Sequence, residues 1–212
     1  MNPEPSSLEA KLCGGTLENR LAALRTLCQG AEKKLRTGTN LHIHTNESFS
    51  VFRSPTEAVW QAVREGVAVL GINDHYTIAG HDEFRRACAV ARIPATFSME
   101  AVAMDRDAEA AGELTNDPGN PGRTYLCAKG VTRKPPGGSP AAQALATMRA
   151  ALERRNREMT EKLRAVFKDE IGDDGPAWDD VAALTPHGNT TERHVSKAAY
   201  LRLEELAGTA VG

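Results

Sequence analysis

Residues 40–48 read NLHIHTNES, and the pair His42 and His44 in this stretch decides how the chain is interpreted. On a β-strand, side chains two residues apart point to the same face of the sheet, so both imidazoles face one way. Leu41 and Ile43 then face the other way, and we expect them to pack beneath a layer of helices. Two neutral imidazoles at a strand end can bind a divalent cation. The alternative is an ordinary strand, with one histidine buried and the other exposed.

The composition excludes several classes of protein. The chain has 212 residues, 41% of them hydrophobic and 25% charged, which is typical of a globular protein with one substantial core. A net charge of -2 and an aromatic content of 5% give no broad surface for nucleic acid. No apolar run approaches the ~20 residues that span a bilayer, and no signal-peptide pattern is present, so we expect no membrane contact. The four scattered cysteines indicate reduced thiols, mostly small core fillers, in a cytoplasmic protein.

Strand and helix patterns alternate after residue 38. Three further strands are predicted, from VAVLGI at residues 67–72, ATFSMEAVA at residues 95–103 and TYLCAKGV at residues 124–131. Residues 105–123 have the composition of an acidic surface loop. From residue 140 the apolar spacing predicts a helix of about 28 residues, followed by two shorter helices. The sequence therefore predicts an α/β fold with about four parallel strands and a C-terminal helical insertion.

Side chains that can bind metals lie at the ends of these strands. Asp74 and His75 end the second strand, Glu100 lies in the second half of the third, and His81 opens the intervening helix. Active sites of βα architectures collect at the carboxyl ends of parallel strands, where the first-strand histidines also lie. Imidazoles with carboxylates suit zinc, manganese or iron better than magnesium or calcium. Glu100 can bridge two such ions about 3.5–4 Å apart, and Asp74 is placed to orient a metal-binding histidine.

These motifs resemble those of the polymerase and histidinol phosphatase (PHP) domain family. Its HxH motif, followed by Thr and a nearby Ser, is matched by His42, His44, Thr45 and Ser48. Its T-D-H-like triplet is similar to residues 73–75, and its strand with a metal-bridging glutamate is similar to the strand of Glu100. The resemblance covers residues 38–131. It is weaker beyond, where TERHV at residues 191–195 is similar to the R-x-H helix start of some nucleotide-cleaving members.

The resemblance implies a distorted βα barrel that binds divalent ions (Zn, Mn or Fe) and hydrolyses phosphoesters by a metal-bound hydroxide. The implied metal ligands are His42, His44, His75 and Glu100; Asp74 joins them as a catalytic residue, and His81 is a doubtful addition. The expected substrate is a small phosphorylated or nucleotide-like compound. Candidate substrate contacts are Arg133 and Lys134, which follow the fourth strand, and His194, which resembles the R-x-H element. The alternatives are solvated loop charges and, for His194, an exposed residue near the first turn of the last helix.

The chain also departs from the family pattern. Residues 49–51 lack the usual Asp or His, Tyr125 stands where a histidine is common near the fourth strand, and no Asp-x-His follows residue 131. We therefore expect an incomplete member, the first part of a longer protein. It would comprise a helical lead-in (residues 1–37), a PHP core (38–139) and a helical segment (140–212), with the rest of the barrel missing. Four ligands predict about one bound divalent ion and weak hydrolysis by these residues alone.

Two other functions remain open at this stage. In amidohydrolase barrels, which also begin with HxH, a carboxylated lysine on the fourth strand bridges the metals, and Lys129 is the candidate here. The other possibility is a degenerate, non-catalytic PHP-like domain that binds metal or a partner. The missing ligands and strands support this second alternative, and the phosphoesterase remains the main hypothesis.

Overall fold

The computed structural model describes residues 7–32, 34–185 and 189–209. The chain divides into two compact units, residues 1–46 with 50–134, and residues 47–49 with 135–212. The elements of the first unit are α1 (Ser7–Ala10), α2 (Leu17–Gly30), β1 (Gly38–Ile43), α3 (Pro55–Glu65), β2 (Val67–His75), α4 (His81–Ala91), β3 (Ala95–Met104), α5 (Arg106–Ala111) and β4 (Arg123–Lys129). Those of the second are α6 (Pro140–Ile171), α7 (Trp178–Ala183) and α8 (Glu192–Thr209).

The first unit is an α/β partial barrel built on a four-stranded sheet of order β1-β2-β3-β4. This confirms the predicted fold class. β1 pairs with β2, and β2 with β3, in parallel, whereas β3 and β4 are antiparallel. The prediction of about four parallel strands was therefore wrong for the last strand.

The connection between β3 and β4 explains the antiparallel pairing. A parallel partner needs a crossover over the face of the sheet. Here the connection folds back on itself instead, because the N–H of Asp105 donates to the Gly122 carbonyl at 2.8 Å. Within it lies the helix α5, capped by the Asp105 side chain. The segment predicted as a plain acidic loop therefore contains a helix and returns the chain directly to the edge of β3.

Helices α2, α3 and α4 cover one face of the sheet and form the core with it. The sequence encodes the bounds of α3 locally. Ser54 accepts a hydrogen bond from the Glu57 N–H, Pro55 occupies the first turn, and Gly66 ends the helix with a left-handed φ of 70°. Its buried stripe is the predicted one: Ala58, Val59, Ala62 and Val63.

A β-bulge interrupts β1 beside the HxH motif. Asn40 pairs with Leu70 and Ile43 with Ile72, so two residues of β1 face the single residue Gly71. The bulge breaks the alternation that the sequence predicts. Ile43 is buried as expected, but Leu41 is 42% exposed, which corrects the expectation that both pack beneath helices.

The second unit has its own small core, around Val181, Val195 and Ala198. The long helix α6 has 32 residues, begins with Pro140 after the cap residue Ser139, and buries Leu152 and Phe167. Fully buried Asn156 donates to the Thr190 carbonyl at 2.8 Å, which fixes the segment before α8. Two histidines follow residue 131; His194 lies in α8, and His187 lies outside the described residues. Among the helices that the structure describes, none is long and apolar enough to span a membrane.

Candidate metal centre

Three neighbouring strands bring four predicted ligands together. His75 at the end of β2 is paired in register with Glu100 of β3. The Nε2 atom of His42 lies 2.7 Å from Glu100 Oε2 and 3.2 Å from His44 Nε2. His44 Nε2 lies 3.5 Å from the same carboxylate oxygen, and the rings of His44 and His75 stack with centroids 4.4 Å apart. The expected convergence of these side chains is therefore present.

The cluster fits a divalent transition metal by its chemistry and its spacing. One ligand atom each from His44, His75 and Glu100 lies within 4.8 Å of the other two. Zn–N and Zn–O bonds of about 2.0–2.2 Å place tetrahedral ligands about 3.4 Å apart. The 3.5 Å between His44 Nε2 and Glu100 Oε2 matches this spacing. Glu100 is only 5% exposed, and burying a carboxylate is costly without a nearby cation or hydrogen-bond donor.

Two further residues line the cluster, and no motif in the sequence assigns a role in metal binding to either of them. Asn73 is fully buried; its Nδ2 lies 2.9 Å from His42 Nε2, 3.1 Å from Glu100 Oε2 and 3.3 Å from Cys127 Sγ. Cys127 of β4 pairs directly with Glu100. It is exposed, whereas the sequence predicts that most of the four cysteines are core fillers. His42, Glu100 and Cys127 form a second group whose ligand atoms lie within 4.8 Å of one another.

Asp74 connects the ends of β2 and β1. It is fully buried, and its two carboxylate oxygens accept hydrogen bonds from the Thr45 N–H at 2.6 Å and the Thr45 hydroxyl at 2.7 Å. Because Thr45 directly follows His44, these bonds fix the backbone beside a candidate ligand. An orienting effect of Asp74 on His44 would therefore act through the backbone of Thr45, and the orienting role stays a prediction.

His81 begins α4, as predicted, and lies in the core with 6% exposure. Its Nε2 is 3.0 Å from the Ser98 carbonyl oxygen, and its ring is 5.4 Å from that of Phe97. Burial lowers the pKa of His81 and keeps the ring neutral. Within the described part of the chain, His81 belongs to neither group of candidate ligands. These contacts favour a structural role.

Because β4 is antiparallel to β3, Arg133 and Lys134 do not follow the strand at the edge where the candidate ligands lie. After β4, the N–H groups of Gly130 and Val131 donate to the Phe97 carbonyl, so the chain runs back towards the start of β3. Arg133 and Lys134 follow in an exposed loop. The parallel strand that would have carried them to the edge of Glu100 is absent from the described sheet. Lys129, the candidate for carboxylation, donates to the Leu41 carbonyl at 3.2 Å.

His194 is the third residue of α8, in the predicted position, but it is not an exposed histidine. It is 5% exposed, and its Nδ1 lies 3.0 Å from both the N–H and the hydroxyl of Thr191. Its ring packs edge-on against Phe49, with centroids 5.1 Å apart. Burial is the main cause that lowers its pKa to about 4. The interpretation of His194 as an exposed helix residue was therefore wrong, and its contact with substrate stays a prediction.

The sheet and its cluster place the first unit among α/β partial barrels that carry candidate metal ligands at the ends of their strands. A solved protein from Bifidobacterium adolescentis, provisionally named a metal-dependent phosphoesterase, is similar to this chain. The TM-score is 0.58 and the identity 27%, over 76% of this chain and 49% of that one.

A second similar structure is an amidohydrolase from Chromobacterium violaceum, solved with bound sulfate and no metal. Its TM-score is 0.56 and its identity 21%, again over 76% of this chain and 49% of that one, and at this identity it supports the fold alone. The chain thus spans about half the length of both proteins. No protein-family model and no curated protein matches it.

Proposed function

We propose that this chain contributes the metal-binding half of a metal-dependent phosphoesterase of the PHP type. The observation that carries the proposal is the convergence of His42, His44, His75 and Glu100 at one edge of the sheet. One ligand atom each from His44, His75 and Glu100 lies within 4.8 Å of the other two, and His42 Nε2 lies 2.7 Å from Glu100 Oε2. The similarity to a protein named a metal-dependent phosphoesterase supports the same reaction class.

Glu100 is the centre of the proposed site. Its carboxylate belongs to both groups of candidate ligands, which suits it to contact cations on either side. Asn73 Nδ2 lies 3.1 Å from Glu100 Oε2, so its N–H holds that carboxylate in place. A divalent ion bound here supplies Lewis-acid polarisation of a phosphoryl oxygen and a lowered pKa for bound water.

Access to the proposed site is from the side of His42. The His42 side chain is 48% exposed, whereas that of Glu100 is 7% exposed. A small phosphorylated or nucleotide-like substrate would therefore approach over His42, with the buried carboxylate beneath it. This arrangement keeps Glu100 shielded from solvent.

The proposal is tested on the purified chain loaded with manganese or zinc. We expect bound metal and slow hydrolysis of a generic phosphomonoester or a short nucleotide, with Glu100→Gln and His44→Ala weakening metal binding and lowering the rate at least about 10-fold. The matched control is His81→Gln, at a buried histidine outside the cluster, which should keep its metal and its rate. Metal bound by the unaltered chain without any hydrolysis would favour the non-catalytic alternative instead.

A further inference from the structure

Tyr76, the residue that follows His75, has a backbone conformation that is unusual for its type. Its φ is 54°, and among the described residues only Arg92 shares a positive φ without being glycine. Arg92 caps the end of α4, where a left-handed residue is common. Tyr76 lies instead just past the end of β2, beside the proposed metal ligands. A left-handed conformation costs free energy for a residue with a side chain, so other contacts must hold Tyr76 in it.

Two hydrogen bonds to β3 provide these contacts. The N–H of Tyr76 donates to the Glu100 carbonyl at 2.8 Å, and the Tyr76 hydroxyl accepts from the Val102 N–H at 3.0 Å. The pairing of β2 with β3 ends at His75 and Glu100. If the parallel ladder continued, the Val102 N–H would donate to the backbone of the neighbouring strand. Here the hydroxyl of a side chain accepts that bond.

We propose that Tyr76 is a positioning residue, which holds the His75 imidazole in place as a metal ligand. This inference rests on the proposed function, because it takes His75 as a ligand. The backbone and the side chain of Tyr76 are both bonded to β3, so the peptide that joins it to His75 cannot turn freely. The His75 ring is thereby kept against His44, with ring centroids 4.4 Å apart.

The hydroxyl can be removed without removing the rest of this arrangement. Tyr76→Phe keeps the aromatic ring, which lies 6.4 Å from the His75 ring, but leaves the Val102 N–H without this acceptor. Val102 still pairs with Tyr125 of β4, so β3 stays in the sheet. The end of β2 that carries His75 loses a hydrogen bond to β3. We therefore expect the fold to persist while the His75 ring is held less firmly.

A second variant separates the hydroxyl from the backbone turn. Glycine adopts a left-handed φ without strain, so Tyr76→Gly favours the same turn but has no hydroxyl to accept from Val102. The matched control is Tyr200→Phe in α8. Its hydroxyl is hydrogen-bonded to the Glu204 carboxylate, so the control also removes a hydroxyl that makes a hydrogen bond, at an exposed position of the second unit.

Zinc affinity of the metal-free full chain and its variants, measured by competition with a chelating dye, tests the proposal. We expect zinc to bind about 10-fold more weakly to Tyr76→Phe, at least as weakly to Tyr76→Gly, and unchanged to Tyr200→Phe. The decisive comparison is made in a His75→Ala background. There, adding Tyr76→Phe should change zinc affinity by less than about 2-fold, because the ligand that Tyr76 positions is already gone. A general loosening of the sheet would weaken binding equally in both backgrounds.

The outcomes separate this proposal from the proposed activity. Unchanged zinc affinity in Tyr76→Phe, full affinity in Tyr76→Gly, or an equal loss with and without His75 overturns the positioning role and leaves the phosphoesterase proposal standing. A loss that requires His75, in a zinc-loaded chain that hydrolyses no phosphoester, supports the positioning role and overturns the activity. A chain that binds no zinc overturns both. Far-ultraviolet circular dichroism of each variant checks that the sheet is intact.

Discussion

Asp74 belongs to neither group of candidate metal ligands, but it contacts the residue that follows the candidate ligand His44. Its carboxylate accepts two hydrogen bonds from Thr45, both inside the protein. In Asp74→Asn the side chain keeps its shape, and it can still accept from the Thr45 N–H and donate to the Thr45 hydroxyl, but both hydrogen bonds lose the carboxylate charge that strengthens them. We expect a loss of about 1–3 kcal/mol in the free energy of unfolding and about 10–100-fold weaker zinc binding.

Urea unfolding and zinc competition with a chelating dye measure these two effects. The matched control is Asp82→Asn, because the Asp82 side chain is 72% exposed and forms only a surface ion pair with Arg85. It should change neither quantity. Zinc affinity that is unchanged in a destabilised Asp74→Asn protein would show that the Thr45 bonds serve the fold alone.

At the same scale, the sequence predicts some site residues and misses others for a physical reason. His42, His44, His75 and Glu100 lie near the ends of strands that run parallel, and parallel strands bring those ends to one edge. Cys127 reaches the cluster only through the antiparallel register of β4. That register depends on how residues 105–122 fold back, which no local pattern in the strand encodes.

At the scale of the strand, Gly71 of β2 allows the backbone of β1 to approach closely at the bulge. A Cβ atom there would lie 2.7 Å from the Leu41 Cα and 2.8 Å from the Leu41 carbonyl oxygen, and it would also clash with Thr96 Oγ1. Two of these contacts are to backbone, which cannot rotate away. We expect Gly71→Ala to lower the free energy of unfolding by about 1–3 kcal/mol, as overpacking does, and to weaken zinc binding by displacing the neighbouring His42.

Gly38→Ala is the matched control for this substitution. Gly38 also lies in the sheet, and a Cβ there meets nothing within 4 Å. Chemical unfolding and zinc titration of both variants make the comparison. If Gly71→Ala were as stable as Gly38→Ala, the bulge would tolerate the methyl group and the close approach of Leu41 would not be required.

Helices and strands differ in how much of them the sequence predicts. The start and end of α3 follow from Ser54, Pro55 and Gly66, because caps act within one turn. The prediction that Leu41 is buried was wrong because the alternation of side chains between the two faces requires regular strand pairing. The β-bulge opposite Gly71 interrupts that pairing. Direction and register of strands depend on distant partners, so they are the features that sequence patterns leave undetermined.

On the scale of the whole molecule, the described residues of each unit include one buried histidine, and burial disfavours its protonated form. His81 lies in the first unit and His194 in the second. Burial lowers the pKa of His81, and it lowers that of His194 to about 4. In the unfolded chain both return to about 6.5. The unfolded state therefore binds more protons below pH 6.5, and stability is lost as the pH falls from there.

The loss of stability in acid can be calculated for the second unit from the pKa of His194. With a pKa of about 4 in the folded state, His194 should cost the second unit about 2 kcal/mol of stability between pH 7 and pH 5. Trp178 lies in this unit and Trp60 in the first. Tryptophan fluorescence of Trp60→Phe and Trp178→Phe during urea unfolding therefore reports each unit separately.

Replacing His194 tests whether that histidine is the cause. In the Trp60→Phe background, His194→Gln keeps an acceptor for the Thr191 N–H but does not titrate. It should therefore remove most of the loss of stability between pH 7 and pH 5, even if it lowers stability at pH 7. Lys162→Gln, at an exposed position on α6, is the matched control and should keep the full pH dependence.

If His194→Gln loses stability in acid as steeply as Lys162→Gln does, another group drives the acid sensitivity. The buried imidazole would then contribute to packing in the second unit without making it sensitive to pH.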